Sequence, residues 1–149
     1  MSAVIVAVTI SLAFAGNSSR QQRGADPESV YNYGVAATQL EGNLVKRKVF
    51  GPPGYGETPA KDERNTILIL KLLRPISVKP TAGSVAKNNP NSEAFQHVRE
   101  IQLFIPRQKR TEAERMVGKI VLVSGMLNEH VAPSSYTDVW MDVKAITLK

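Results

Sequence analysis

The sequence predicts a mainly β protein: a five-stranded Greek-key barrel with one short helix between strands 3 and 4. Three observations predict it. Five stretches carry the period or apolar density of strands, a single helical stretch follows the third of them, and a glycine interrupts the first and the fourth. That element order is the one found in oligonucleotide/oligosaccharide-binding (OB) barrels. The fourth stretch, residues 118–127, organises the rest. In it Val121, Val123 and Leu127 share one face with Gly125, and Ile120, Leu122 and Met126 share the other. A glycine inside a strand is costly, so Gly125 predicts a bulge, a bend or a close approach of another backbone, the devices that close a small sheet into a barrel.

Residues 3–15 are apolar apart from Thr9 and Ser11 and end in Ala13-Phe14-Ala15, a small-x-small pattern. This predicts a signal peptide over 1–15, a flexible leader over 16–34 and the barrel over 35–149, hence a periplasmic or secreted product with no stable membrane insertion of the mature chain. The chain contains no cysteine, which excludes disulfides, thiolate zinc sites, a cysteine nucleophile and a lipid-modified cysteine anchor.

The first strand lies within residues 35–50, where Leu40, Gly42 and Leu44 alternate with Gln39, Glu41 and Asn43 and a basic run, Lys46-Arg47-Lys48, follows. Residues 50–56 hold two prolines and three glycines, so they form a shaped loop that presents Tyr55. The second strand, residues 66–73, is dense enough to be central, with an extension over 76–78 past a bulge at Pro75. A long polar loop fills 79–94. Residues 98–105 alternate again, with Ile101, Leu103 and Ile105 inward and Glu100 and Gln102 outward, until Pro106 stops the third strand.

Thr111 with Glu114 forms a capping-box pair, Glu112 suits the positive helix end and Gly118 suits the position past the last turn, which together predict a helix of about two turns. The fifth strand covers 137–148, where Val139, Met141 and Val143 alternate with Trp140, Asp142 and Lys144, so Trp140 faces outward as a stacking platform or is covered by the leader.

The blocks Leu40-Glu-Gly-Asn-Leu44, Phe50-Gly-Pro-Pro-Gly-Tyr55, Leu72-Leu-Arg-Pro-Ile76, Ile101-Gln-Leu103 and the fourth strand, followed by Tyr136-Thr-Asp-Val139, resemble a family of small exported bacterial proteins of unknown function. The resemblance covers residues 38–149 and implies an exported barrel-like domain. It supplies no activity. Members carry more histidine before the last strand, where this chain has only His130.

In OB barrels the ligand meets the face of the second and third strands and the loops after the first and fourth. Here those loops are residues 50–65 and 128–136. The candidate ligand-binding residues are therefore Tyr55, His130, Tyr136 and Trp140 for contact area, with Lys46, Lys48, Arg107, Lys109 and Arg110 for charge. A net charge of +6, from 19 Lys+Arg against 13 Asp+Glu, favours an anionic ligand or a protein partner. With only His97 and His130 and no cysteine, neither a metal nor another cofactor is expected.

His130, Ser134 or Ser135, and Asp138 stand close together but lack a nucleophile elbow and an oxyanion hole, so no catalytic residue is assigned. The leading expectation is an exported, non-catalytic binding module of unknown ligand. The alternatives are a periplasmic inhibitor or immunity-type protein and a nucleic-acid-binding OB domain, the last disfavoured by export.

Overall fold

The computed structural model describes residues 28–36, 38–82, 90–130 and 133–149. The expected signal peptide, residues 16–27 of the expected leader and residues 83–89 of the long polar loop lie outside them. The elements are β1 (Ser29–Asn32), β2 (Thr38–Phe50), β3 (Arg64–Lys79), β4 (Phe95–Phe104), α1 (Arg107–Arg115), β5 (Ile120–Glu129) and β6 (Val139–Leu148).

Strands run in the order β1-β3-β2-β5-β6-β4, and β4 pairs back onto β3. Strands β2 to β6 thus form a closed five-stranded barrel, antiparallel at every seam except the parallel one between β4 and β6. This is the closure of an OB-like barrel. The helix follows the fourth strand of the chain, not the third, because residues 29–32 form a strand where a leader was expected. They pair in parallel with Ile76–Lys79 of β3, and Tyr33 just after them is buried. Counted over the barrel strands alone, α1 follows the third.

Alternation builds the core. Leu40 and Leu44 from β2, Leu68 and Leu70 from β3, Ile101 and Leu103 from β4, Val121, Val123 and Leu127 from β5 and Val139, Met141 and Val143 from β6 all point inward and are buried. Each such burial contributes about 1.5–3 kcal/mol relative to exposure. Pro75 sits inside β3 where neither neighbour pairs: β2 leaves at Leu72 and β1 and β4 begin again at Ile76, so its missing N–H is not needed there.

The two strand glycines are close approaches. A Cβ on Gly125 would lie 2.1 Å from the Asp142 carbonyl oxygen, and one on Gly42 would lie 2.4 Å from that of Lys71. At Gly125 the register slips: Ser124 faces Ala145 but Gly125 faces Val143, so Lys144 is the extra residue of a bulge in β6.

The helix starts earlier than its capping-box reading. Pro106 is the N-cap, with φ −52°, and no side chain caps the helix, so Thr111 falls in the helix body and no acidic residue lies in the first turn. Proline wins because its ring sets a helix-compatible φ and its absent N–H is one that a helix start would leave unpaired. Ala113 and Met116 fit into the barrel end, and Gly118, with φ +85°, turns the chain into β5 as expected.

Candidate functional site

The loop between β2 and β3, residues 51–63, is built around one carboxylate. Asp62 accepts the N–H groups of Gly54 at 2.8 Å, Gly56 at 2.7 Å and Thr58 at 3.3 Å, and the Thr58 hydroxyl at 2.7 Å. Gly51 N–H to the Glu63 carbonyl and Glu63 N–H to that of Pro52 close its neck, and the Pro52-Pro53 bond is cis. Burial pushes the Asp62 carboxyl up, but the hydrogen bonds from Thr58, Gly56 and Gly54 outweigh it and hold the group below its ordinary value. The loop is therefore a fixed shape that presents Tyr55, at φ +49° and 41% exposed, to solvent. A tyrosine held at positive φ is a strained conformation that the surrounding bonds must enforce.

Residues 133–138, leading into β6, fold over the outside of the sheet. Gln102 of β4 points away from the core yet is only 3% exposed, because its Oε1 accepts the Tyr136 N–H at 2.7 Å and its Nε2 donates to the Ser134 carbonyl at 3.3 Å. The Gln102 N–H also donates to Thr137 Oγ1. Its register partner on β3, Ile69, is fully buried although it alternates with the core residues Leu68 and Leu70. The Tyr136 hydroxyl then donates to the Phe50 carbonyl at 2.6 Å, tying this loop to the neck of the β2–β3 loop. Burial, with Tyr55 nearby as the second cause, raises the Tyr136 phenol above its ordinary value. Replacing Gln102 by leucine should cost about 2 kcal/mol in chemical denaturation, because the half-buried Tyr136 N–H and the Ser134 carbonyl both lose the side chain that ties their loop to the sheet. Amide exchange at Tyr136 should accelerate with it.

The expected residues are thus only partly brought together. Tyr55 and Tyr136 share one surface. Lys46 and Lys48 lie on the projecting β2–β3 arm, where Lys46 Nζ is 3.7 Å from Glu114 of α1 and Arg110 donates to the Thr66 carbonyl at 2.8 Å. Arg107 stands exposed at the helix start. Lys109 turns away and donates to the carbonyl of Lys144, the bulged residue of β6. His130 is exposed, with Ser135 Oγ 3.0 Å from its Nδ1, while Asp138 meets it through backbone, His130 N–H to the Asp138 carbonyl at 2.8 Å.

Trp140 is half-buried on the outer face. Its indole N–H donates to the Glu129 carbonyl at 2.7 Å, and its ring meets Phe104 edge-on with centroids 4.8 Å apart. A cleft of about 320 Å³ beside Phe104 is lined also by Ile67, Ile105, Arg110 and Asp142. A larger one, about 830 Å³, opens between β1, β2 and β3 over Leu40, Leu72 and Ile76, and holds none of the expected site residues.

Asp62, Gln102 and Arg64 were missed. Arg64 lays its guanidinium 3.8 Å from the centre of the Phe50 ring. Asp62 had a signal: a loop of glycine amides needs an acceptor, and Asp62 follows Thr58 at short spacing. Gln102 had none, since an outward polar residue in a strand reads as solvated.

Among the described residues no group of three or more His, Cys, Asp or Glu side chains could hold a metal ion, and no helix is long and apolar enough to cross a membrane. Comparison with protein-family models, curated proteins and solved structures finds no match for the chain.

Proposed function

We propose that the chain is an exported, non-catalytic binding module that meets an anionic or protein partner through its two rim loops and the adjoining basic arm. One observation carries this reading: the Tyr136 hydroxyl on the Phe50 carbonyl joins two sequence-distant loops into one surface, from which Tyr55 projects in an enforced conformation. Ordering a loop costs conformational entropy, and a loop already ordered before contact spares a partner that cost. Export rests on the apolar segment at residues 3–15 and its small-x-small end. Among the described residues Asp138 meets His130 through its backbone carbonyl and not its carboxylate, which favours a loop contact over a hydrolytic triad.

Affinity capture from a periplasmic extract with the chain beginning at Gly16, and with its Tyr55→Ala variant, tests the reading. Tyr55→Ala should lose the captured partner while its melting temperature stays within about 2 °C of the parent, since an exposed side chain away from the core contributes little stability. Tyr136→Phe should instead cost about 1 kcal/mol, the net worth of one intramolecular hydrogen bond, and loosen the junction of the loops. Capture that is unaffected by Tyr55→Ala would remove the loops from the binding surface.

A further inference from the structure

Along β2 the partner strand β5 pairs only as far as Asn43, while β3 continues alongside to Phe50. From there on one edge of β2 is open. Leu44 shows which backbone groups face it: its N–H donates to the Lys119 carbonyl at 3.0 Å and its carbonyl accepts from Gly118 N–H at 2.7 Å, both away from β3. In an antiparallel pair residues two apart direct their polar groups the same way. Lys46, Lys48 and Phe50 therefore face the same edge. The Phe50 carbonyl is taken by Tyr136, which closes the far end as Leu44 closes the near one. Between these stops, the backbone groups of Lys46 and Lys48 have no partner strand among the described residues.

The side chains around this gap are selective. Lys46 and Lys48 are exposed on one face of the arm, and Lys48 has no carboxylate within ion-pairing distance among the described residues. On the other face Val45 and Val49 are half-buried, and Arg47 is already 2.6 Å from Glu100. Lysines on an edge repel another copy of the same edge. By the same electrostatics they leave it open to a strand of opposite sign.

We infer that the open edge of β2 at Lys46 and Lys48 binds a short, extended acidic segment of a partner protein by strand addition, with acidic residues facing the lysines and apolar ones facing the valines. Main-chain hydrogen bonds would fix the segment, and the alternation of the arm would select its sequence. A single-stranded nucleic acid fits less well, because the Phe50 face that a base could stack on is covered by Arg64. The inference rests on the binding-module reading and narrows its partner.

Hydrogen exchange of the whole chain, with a short peptide alternating glutamate and valine as probe, tests it. At saturating peptide the Lys46 and Lys48 amides should exchange at least about tenfold more slowly. Lys46→Glu/Lys48→Glu, at two exposed strand positions, should abolish that protection and accept a peptide alternating lysine and valine instead. The glutamate peptide N-methylated along one edge should fail to protect either amide. Unchanged exchange, equal protection by the N-methylated peptide, or protection by a single-stranded oligonucleotide in place of the peptide would each overturn the inference. Tyr55-dependent capture that survives the double charge reversal would also sink strand addition, and it would leave the binding module standing.

Discussion

Gly125→Ala should produce a barrel destabilised by about 3 kcal/mol, the upper end of what overpacking a well-packed site costs. The added methyl would stand 2.1 Å from the Asp142 carbonyl oxygen and 2.9 Å from Met141 Cγ. Met141 can shift, but a backbone carbonyl inside a paired strand cannot move alone. Strands β5 and β6 must therefore separate where their register already slips, and the bulge at Lys144 with its Lys109 contact goes with them. In a thermal melt the variant should lose roughly 12 °C, taking about 4 °C per kcal/mol for a domain of this size. Ser124→Ala, at the half-buried neighbouring position, is the control and should melt within about 2 °C of the parent. A Gly125→Ala protein that melts with its parent would mean that β5 and β6 do not approach this closely.

That glycine also shows why the fold was legible. An apolar alternation broken by glycine has few physical explanations, and both strand glycines turned out to be places where one backbone presses on another. Alternation likewise sorted the two faces of β5 and β6 residue by residue, because burial on one side of a strand leaves a period of two in the sequence. The extra strand β1 left no such trace. Four residues are too few for a period, and they are held by the edge of β3 at Ile76–Lys79 that β2 has left, a context absent from their own sequence. The helix start was misplaced for a related reason: Thr111 and Glu114 satisfy a capping pattern, but Pro106 had already begun the helix five residues earlier.

The candidate surface was half legible. Prolines and glycines at residues 51–56 announced a shaped loop, and Tyr55 stands on it. Two long-range contacts could not be read from composition or period. Tyr136 reaches the Phe50 carbonyl across 86 positions of sequence, and Gln102 anchors the β5–β6 loop across 34. The basic residues divided as well: Lys109 serves the β6 bulge, Lys46 and Arg110 are engaged with Glu114, and Lys48 is left facing the open edge. Charge counts predict a partner's sign, but only pairing geometry shows which charges remain for it.

The second large effect is expected at Asp62. Four donors converge on its two oxygens, three of them backbone N–H groups of the loop that carries Tyr55. Asp62→Asn keeps the size but offers one acceptor oxygen where there were two, so the Gly56 and Thr58 N–H groups or the Gly54 N–H and Thr58 hydroxyl lose their partner. The loop should then loosen while the barrel persists, since its core residues lie in other elements. Amide exchange at Gly54, Gly56 and Thr58 should accelerate by about tenfold or more, with little change in the exchange of Leu70 or Val123.

Acid should do the same to the parent. Because the folded carboxyl titrates below the ordinary 3.8, its contribution is complete above that value and is lost as pH falls through the lower, folded one. The loop amides of the parent should therefore stay protected down to about pH 4 and open below it, ahead of the barrel. In Asp62→Asn they should be open throughout, with no step across that window. If partner capture depends on the loop's shape, Asp62→Asn should lose it at neutral pH although Tyr55 is still present. Retained protection at Gly54 and Gly56 in that variant would show that the carboxylate does not hold the loop.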